Sequence, residues 1–187
     1  MDFSLIMPVR NNIKGLKVAL GAFQLFTAKP ELFEIHLLVD NDDPDAETYF
    51  ELALNYKLKI FIHLVEPSDH FNRDYYNAHI KHCRGKNIMA WNDDCYMQTN
   101  AWDDIVRKKI KEHPEFNGVY FVDMYDSTRW GSSTGLDKVE FPRFPMISRK
   151  AVDIAEYFFH PALRNWPADY VIHGVYKAVG CIIKCLS

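Results

Sequence analysis

The sequence predicts an α/β domain with a mostly parallel central sheet flanked by helices. Short apolar runs alternate with amphipathic stretches along the whole chain, the pattern of strands and helices in alternation. The 187 residues match the size of one domain, and 48% hydrophobic residues supply a sizeable core. A net charge of -3 offers no broad attraction to nucleic acid or to an anionic membrane. We therefore expect one domain over residues 1–187, with no nucleic-acid partner.

The first third of the chain predicts a strand, a helix and a second strand. Residues 3–8 form an apolar run that a proline closes, which indicates a buried strand. Apolar residues at helical spacing predict a helix over residues 14–26, after a turn-like Asn-Asn pair. The apolar run over residues 35–40 predicts the second strand.

The middle of the chain continues this alternation. Asp45 is a candidate N-cap for a helix over residues 45–55, and residues 58–65 predict a third strand. A helix over residues 72–83 follows. The apolar run over residues 87–91 then predicts a fourth buried strand, which leads directly into three polar residues.

The last part of the chain contains an irregular region. An apolar stripe predicts a helix from residue 102 that ends before Pro114, and residues 118–122 predict a fifth strand. Residues 123–146 are rich in turn formers, aromatic residues and charge, so we expect a functional loop region with a short strand. Two further helices are predicted over residues 149–157 and 167–178.

The N-terminus and the cysteines indicate a soluble, cytoplasmic protein. An acidic residue at position 2 and a short apolar run are unlike the start of a signal peptide. The sequence contains no run of 18 apolar residues, so no membrane span is expected. The four cysteines include no CxxC pair, which suits a reducing compartment.

Three of the predicted strands end in residues suited to ligand binding, because ligands of open α/β sheets collect beyond the carboxyl ends of the strands. Residues 8–10 follow the first strand, an acidic stretch over residues 40–45 follows the second, and Asn92, Asp93 and Asp94 follow the fourth. Carboxylates gathered at one edge repel one another unless they are solvated or share a cation such as Mg²⁺ or Mn²⁺. A metal at Asp93 and Asp94 is one hypothesis, and a helix cap or turn is the alternative. For most of residues 40–45 a solvated turn is favoured.

The order of these segments resembles the GT-A glycosyltransferases of the family 2 type, a Rossmann-like fold. The segment FSLIMPVRNN is similar to the opening strand and nucleotide-binding loop of that family, and HLLVDNDDPD is similar to its second strand. The strongest match is NRDYYNAHIKHCRGKNIMAWNDDCYMQTNAW, in which Arg and Asn precede a buried strand, a DxD-like acidic motif and a Trp. The resemblance covers nearly the whole chain.

The resemblance implies a role for several residues of the N-terminal part. Asp94 becomes the metal ligand and Asp93 a ribose or metal contact, while Asn92 stands where the family often has Asp. Asp40 would face the nucleobase or ribose. The remaining nucleotide-sugar contacts implied are Pro8 and Arg10, which would wall the pocket, and Arg73, which either reaches the diphosphate or is a solvated helix residue.

The C-terminal segment WPADYVIHGVYKAVG resembles the family helix that carries the catalytic base, which places Asp169 in that role. Ala168 replaces the Glu that precedes this Asp in the family, so the motif is partial. His173 follows four residues later, on the same helical face. It would complete the metal shell or contact the diphosphate; a surface Asp-His pair is the alternative.

The resemblance implies a metal-dependent glycosyltransferase that uses Mn²⁺ or Mg²⁺ and moves a sugar from a nucleoside diphosphate sugar to an acceptor hydroxyl with inversion. Residues 1–122 would bind the donor and residues 123–187 the acceptor, with a partner protein as a further source of specificity. In the irregular region, Asp123 and Trp130 are candidate acceptor contacts, since aromatic and polar side chains suit a sugar ring, and an ordinary lid packed by its own aromatic residues is the alternative. Two alternatives remain: a nucleotidyltransferase, and a non-catalytic module that binds a sugar nucleotide or glycan.

His79, His82 and Cys83 have spacings that a zinc site uses. No fourth ligand lies nearby in the sequence, so a partly exposed helix face is favoured for these residues.

Overall fold

The computed structural model describes residues 1–124, 144–164 and 168–185. Within these residues, seven strands form one sheet in the order β3-β2-β1-β4-β6-β5-β7. The strands are β1 (Phe3–Val9), β2 (Phe33–Asp40), β3 (Lys59–Val65), β4 (Asn87–Ala90), β5 (Phe121–Asp123), β6 (Met146–Ser148) and β7 (Ile182–Lys184).

The sheet is mostly parallel. β1 lies in the centre and pairs in parallel with β2 on one side, where Phe3 is opposite Phe33, and with β4 on the other, where Phe3 is opposite Asn87. β3 extends the parallel set beyond β2. β6 is antiparallel to both β4 and β5, and β7 is parallel to β5. The predicted α/β class is confirmed, and the carboxyl ends of β1 to β4 meet at one edge.

The helices lie between the strands, as the sequence pattern predicts. Two of them begin at side-chain caps: Asn12 Oδ1 accepts a hydrogen bond from Gly15 N (3.0 Å), and Ser148 Oγ accepts one from Ala151 N (3.3 Å). Asp45 precedes its helix, but its side chain makes no capping hydrogen bond. The helices are α1 (Ile13–Phe26), α2 (Ala46–Ala53), α3 (Trp102–Lys111), α4 (Arg149–Ala155) and α5 (Ala168–Ala178).

The helix predicted over residues 72–83 is present as a helical segment over residues 71–82, but it is not a regular α-helix. It begins as a π-helix over Phe71–Asn77 and ends as a 3₁₀ turn over Ile80–His82. Side-chain amides of the π-helix make tertiary hydrogen bonds instead of facing solvent: Asn72 Nδ2 donates to Leu163 O (2.8 Å) and Asn77 Nδ2 donates to Phe159 O (2.6 Å). The wider turn of the π-helix gives the side chains of this segment directions towards the sheet that a regular α-helix would not give them.

Two strand predictions are also corrected. The fifth strand starts at Phe121 and not at residue 118, because Asn117 (φ 49°) and Gly118 (φ 77°) form a left-handed turn. β7 was not predicted, since three residues after a turn at Gly180 are too short to give a periodic signal. β6 begins at the last residue of the irregular region, most of which lies outside the described residues.

Hydrophobic cores cover both faces of the sheet. On one face, Trp102 packs against Phe3 and Phe33 with ring centroids 5.1 and 5.4 Å away, and its indole N–H donates to Thr27 Oγ1 (3.0 Å). On the other face, Ile6, Leu38 and Phe121 are fully or almost fully buried. In the described part of the chain, no helix combines the length and the apolar character needed to cross a bilayer.

Candidate functional site

An open cleft of about 670 Å³ lies at the edge of the sheet where β1, β2, β3 and β4 end. The loops after these strands supply its floor, and the π-helix supplies one wall. This location is the one at which open α/β sheets bind ligands. The residues that line the cleft are Pro8, Val9, Arg10, Asp40, Pro67, Ser68, Asp69, Phe71, Tyr75, Tyr76, Asn92, Asp93 and Asp94.

One end of the cleft is organised around Asp40, the last residue of β2. Its side chain is 7% exposed and forms an ion pair with Arg10 Nη1. The same guanidinium donates to both carboxylate oxygens of Asp42, at 2.7 and 3.2 Å. The hydroxyl of Tyr75 donates to the other oxygen of Asp40. The buried carboxylate is therefore neutralised and fixed before any ligand arrives, and the hydrogen bonds from Arg10 lower the pKa of Asp42.

Asp43 joins the loops that follow β1 and β2. Its Oδ2 accepts from the backbone N–H of Asn11 (2.8 Å) and from the hydroxyl of Tyr49 (3.3 Å), and its Oδ1 accepts from Asp45 N (2.9 Å). The carboxylate is buried, 4% exposed. Within the acidic stretch, Asp43 thus stabilises the loops, Asp40 lines the cleft, and Asp42 binds Arg10 from outside it.

The Asn92–Asp93–Asp94 segment is held as a tight turn beyond β4. Cys95 N donates to Asn92 O (3.3 Å), and the indole N–H of Trp91 donates to Cys95 O (3.0 Å). Trp91 itself is buried and stacks on Phe144 with ring centroids 4.0 Å apart. A single buried aromatic residue therefore fixes the position of the acidic turn.

Asp93 and Asp94 differ in their surroundings. Burial raises the pKa of Asp93 to about 6, and the charge of Asp94 adds to this, while hydrogen bonds from the Asn12 side chain and the Arg10 backbone oppose it. Asp94 is exposed and accepts a hydrogen bond from the thiol of Cys95 (3.3 Å). Among the described residues, no Lys, Arg or His forms an ion pair with either carboxylate.

This pair of carboxylates fits a hard divalent cation that takes its other ligands from a substrate. Mg²⁺ is usually held by one or two carboxylates together with phosphate oxygens and water. The part of the chain that the structure describes contains no group of three or more His, Cys, Asp or Glu side chains placed to share a metal ion. Asp93 and Asp94 therefore fit a metal that binds with the diphosphate of a nucleotide, and they do not form a complete protein cage.

The structure does not bring His173 together with these aspartates. His173 is 6% exposed and packs edge-on against Phe121 of β5, with ring centroids 5.7 Å apart. Its Nε2 is buried without a hydrogen-bond partner among the described residues. Helical spacing alone correctly puts His173 on one face of α5, but that face turns towards the core. Among the described residues, His173 therefore does not join Asp93 and Asp94 in a group of three metal-ligating side chains.

Asp169 lies in the first turn of α5 and is not among the residues that line the cleft, but its neighbour Ala168 belongs to the same buried cluster as the cleft residue Tyr76. Burial raises the pKa of the Asp169 carboxyl group to about 7. The charges of Asp169 and Asp93 both raise the pKa of Tyr76, a cleft residue, so both carboxylates lie near its hydroxyl. Asp169 is half-buried, which does not match a surface Asp-His pair.

Two other predicted residues, Arg73 and Asp123, are not among those that line the cleft. The guanidinium of Arg73 is exposed and bound by Asp74 at 2.6 and 2.9 Å. Asp123 ends β5, and its carbonyl oxygen accepts from Cys185 N (3.3 Å). Trp130 lies outside the described residues.

The residues that sequence reasoning missed come from the π-helix. Phe71 and Tyr75 stack with ring centroids 4.5 Å apart, and both line the cleft together with Tyr76. A signal for them was present: three aromatic residues open a helical segment directly after the carboxyl end of the third strand, at the edge where ligands bind.

A cluster of four histidines lies outside the cleft. The ring of His63 on β3 lies 5.3 Å from that of His36 on β2, 5.4 Å from that of His79 and 4.8 Å from that of His82. His36 Nδ1 and His63 Nε2 are 3.0 Å apart and share a hydrogen bond. His36 Nε2 is 3.3 Å from Glu34 Oε1, a charge contact that is poorly aligned for a hydrogen bond.

The surroundings of three of these histidines, His36, His63 and His79, favour the neutral imidazole. Burial lowers the pKa of His36 and His79, and burial together with the neighbouring imidazoles lowers that of His63 to about 4. Burial also raises the pKa of the Cys83 thiol to about 12, which keeps it from acting as a thiolate ligand. The charged groups that act on the cluster are Glu34, Lys81 and Arg84.

No family model and no curated protein matches this sequence. Several solved structures match its fold. The S. aureus TarS structure of residues 1–349 in complex with UDP matches with a TM-score of 0.73 at 16% identity, covering 98% of this chain and 57% of that one. The mannosyltransferase PcManGT from Pyrobaculum calidifontis, in complex with GDP-Man and Mn²⁺, matches with a TM-score of 0.70 at 12% identity, covering 97% and 53%. A cytidylyltransferase from Leptospira borgpetersenii matches with a TM-score of 0.56 at 11% identity, covering 98% and 75%.

These matches define the class of fold. The chain has the Rossmann-like α/β fold of GT-A-like glycosyltransferases, and cytidylyltransferases share its outline. Identities of this size establish the fold alone. The chain spans little more than half of the glycosyltransferase structures that it matches.

Proposed function

We propose that the protein binds a nucleoside diphosphate sugar in the cleft and transfers the sugar to an acceptor hydroxyl. The observation that carries this proposal is that one cleft holds the fixed Arg10–Asp40 pair at the end of β1 and β2 and the unpaired Asp93–Asp94 turn at the end of β4. A nucleotide sugar needs both a nucleoside site and a site for a charged diphosphate. The matching structures that contain UDP, UDP-GlcNAc or GDP-Man support the assignment.

The nucleoside would bind at the Asp40 end. Pro8 and Arg10 wall this end, and the stacked rings of Phe71 and Tyr75 offer an aromatic surface against which a base or ribose can pack. The carboxylate of Asp40 accepts hydrogen bonds from Arg10 and Tyr75 and has lone pairs left for a ribose hydroxyl or a base N–H. The site is therefore organised before the nucleotide enters.

The diphosphate would bind beside Asp93 and Asp94, which would hold Mn²⁺ or Mg²⁺ together with phosphate oxygens. When bound, such an ion stabilises the negative charge that develops on the departing nucleoside diphosphate. Asp94, which is exposed, is the proposed principal ligand, and Asp93, which is half-buried, is the second or a ribose contact. The hydrogen bond from the indole of Trp91 to Cys95 O keeps this turn in place.

Asp169 is the proposed general base. A carboxyl group with a pKa near 7 is a stronger proton acceptor than an exposed carboxylate and is still largely ionised just above neutral pH. As the acceptor oxygen bonds to the anomeric carbon, the bond from that carbon to the diphosphate oxygen breaks and the acceptor proton passes to Asp169. This single displacement inverts the anomeric configuration.

The acceptor is proposed to contact Asp123 and Trp130, with a partner protein as a further source of specificity. Asp123 ends β5. A Trp130→Ala variant tests the acceptor assignment, because acceptor saturation kinetics that match the wild type would exclude Trp130 as a contact.

A nucleotidyltransferase is the second candidate, and the matches to two cytidylyltransferase-type structures at TM-scores of 0.56 and 0.57 favour it. Both candidates use a nucleotide and a divalent ion, so binding of a nucleotide alone does not separate them. A non-catalytic sugar-nucleotide module is the third candidate, because Asn92 and Ala168 replace acidic residues of the motifs that the chain resembles.

A thermal-shift and calorimetry panel tests the proposed ligand. The panel contains UDP-GlcNAc, GDP-mannose and CTP, each with and without Mn²⁺. We expect one of the nucleotide sugars to stabilise the fold with Mn²⁺, since a ligand at 100 times its Kd adds about 2.7 kcal/mol. Stabilisation by CTP alone would favour the nucleotidyltransferase, and no stabilisation by any ligand of the panel would count against the proposal.

A further inference from the structure

Tyr76 is a cleft residue whose hydroxyl has no protein partner in the described part of the chain. The residue is 8% exposed and lines the cleft, so the little surface that it shows faces the bound ligand. The hydroxyl of its chain neighbour, Tyr75, is used by Asp40. Buried tyrosine hydroxyls usually find a partner, and one that faces a cleft without one is available to a ligand.

The ring of Tyr76 is held firmly in place. It packs edge-on against Phe159 with ring centroids 5.2 Å apart and lies 6.4 Å from the ring of Phe158. The next residue, Asn77, fixes these phenylalanines: its Oδ1 accepts from Phe158 N (2.9 Å) and Phe159 N (3.0 Å), and its Nδ2 donates to Phe159 O (2.6 Å). The hydroxyl is thus preorganised, which lowers the entropic cost of a contact with a ligand.

Two carboxylates belong to the surroundings of Tyr76. Asp93 lines the same cleft, and Ala168, the residue before Asp169, belongs to the same buried cluster as Tyr76. Burial, together with the charges of Asp169 and Asp93, raises the pKa of Tyr76 above its usual value, so the phenol is protonated at neutral pH and can donate a hydrogen bond. Because Asp93 marks the diphosphate end of the proposed site and Asp169 the proposed base, the reacting sugar would occupy the space between them.

We infer that the hydroxyl of Tyr76 donates a hydrogen bond to a hydroxyl group of the transferred sugar, so that Tyr76 contributes to binding the nucleotide sugar and not to binding the free nucleotide. The inference rests on the proposed function. Tyr76 orients the sugar between the diphosphate site and Asp169, whereas Tyr75, one residue earlier, organises the nucleoside end through Asp40. The π-helix Phe71–Asn77 presents these two adjacent tyrosines to different carboxylates of the same cleft.

The test compares Tyr76→Phe with Tyr75→Phe by calorimetry in the presence of Mn²⁺. The probes are two matched pairs, UDP with UDP-GlcNAc and GDP with GDP-mannose, and the pair that the wild type binds is used. For Tyr76→Phe we expect the Kd of the nucleotide sugar to rise about threefold to tenfold and that of the free nucleotide to change less than about twofold, as for loss of one neutral hydrogen bond. For Tyr75→Phe we expect both Kd values to rise together.

Equal effects of Tyr76→Phe on the nucleotide sugar and the free nucleotide, or no effect on either, would overturn the inference. The substitution removes only a hydroxyl without a protein partner, so the melting temperature should stay close to that of the wild type and folding does not obscure the result. If the wild type binds neither nucleotide of either pair, the proposed function itself fails. If instead the wild type binds a nucleotide sugar and Tyr76→Phe binds it with the same Kd, only the inference about Tyr76 fails.

Discussion

The hydroxyl of Tyr75 and the carboxylate of Asp40 form a hydrogen bond that ties the π-helix to the end of β2. Arg10, at the end of β1, completes this arrangement through its ion pair with Asp40. Three separate chain segments therefore meet at one buried carboxylate. The nucleoside end of the proposed site depends on this junction, and its disruption should affect binding before it affects the fold.

Replacement of Arg10 by Ala should weaken nucleotide binding. The change leaves Asp40 without its counter-charge, so the nucleoside would meet a carboxylate that is no longer neutralised or held in place by Arg10. We expect the Kd of the preferred nucleotide to rise about tenfold or more by calorimetry. Arg73→Ala is the matched control, because Arg73 pairs with Asp74 outside the cleft. An equal loss for Arg73→Ala would return Arg73 to the diphosphate site.

Replacement of Asp94 by Ala should remove the effect of Mn²⁺ on nucleotide-sugar binding and leave the fold intact. Asp94 is exposed and accepts a weak hydrogen bond from the thiol of Cys95, so the melting temperature should change little. Asp69→Ala removes another exposed carboxylate from the same cleft and serves as the control. A Kd for Asp94→Ala that still responds to Mn²⁺ as the wild type does would contradict the metal assignment.

Replacement of Asp169 by Asn should leave donor binding unchanged and lower transfer by about a hundredfold or more, the scale of general base catalysis. In the wild type, kcat should rise as pH increases through about 7 and then level off, because the base acts in its ionised form and its pKa is about 7. A pH–rate profile of initial velocities checks this expectation. Near wild-type turnover in the variant would remove Asp169 from the mechanism.

The substitution Asp169→Asn should also make the fold more stable than the wild type at high pH. The folded pKa of Asp169 lies above its ordinary value, so the folded state binds more protons and its stability falls as pH rises from about 4 to about 7. Asn carries no charge and avoids this penalty. Melting curves should therefore show Asp169→Asn to be more stable than the wild type at pH 8 and closer to it at pH 5, and a variant destabilised at pH 8 would contradict the burial of this carboxyl group.

The histidine cluster should make the fold sensitive to acid. The folded pKa of His63, about 4, lies below the unfolded value, so the unfolded state binds more protons and stability falls as pH drops below about 6.5. Between pH 7.5 and 5.0 the melting temperature should fall about 2–4 °C more in the wild type than in His63→Gln, which corresponds to about 1 kcal/mol.

His113→Gln is the control for this comparison, because His113 pairs with Glu115 away from the cluster. The melting temperature of His113→Gln should depend on pH as that of the wild type does. Identical pH dependence in His63→Gln and the wild type would show that the cluster does not contribute to acid sensitivity.

The parts of the fold that could be predicted from the sequence are those with a strong local pattern. Continuous apolar runs locate β1, β2 and β4, and their carboxyl ends bring Arg10, Asp40 and Asp93 into one cleft. The π-helical form of the segment after β3 could not be predicted, since Asn72 and Asn77 donate hydrogen bonds to residues more than 80 positions later in the chain.

The direction in which side chains point was the second feature that could not be predicted from the sequence. The spacing of Asp169 and His173 places both on one side of α5, but only packing against Phe121 shows that His173 points into the core. The histidine cluster depends on strand register: His36 and His63 come from neighbouring strands and meet because β2 and β3 pair with His36 opposite Phe61.

The most direct test of the central claim is the product formed from a nucleotide sugar. The wild type and Asp169→Asn are incubated with Mn²⁺ and UDP-GlcNAc or GDP-mannose, and released UDP or GDP is measured by chromatography. The proposed function predicts that the wild type releases the nucleoside diphosphate from one of these donors and that Asp169→Asn binds the same donor but releases it about a hundredfold more slowly. No release by the wild type from a donor that it binds, or pyrophosphate formation from CTP and a sugar phosphate, would contradict glycosyl transfer.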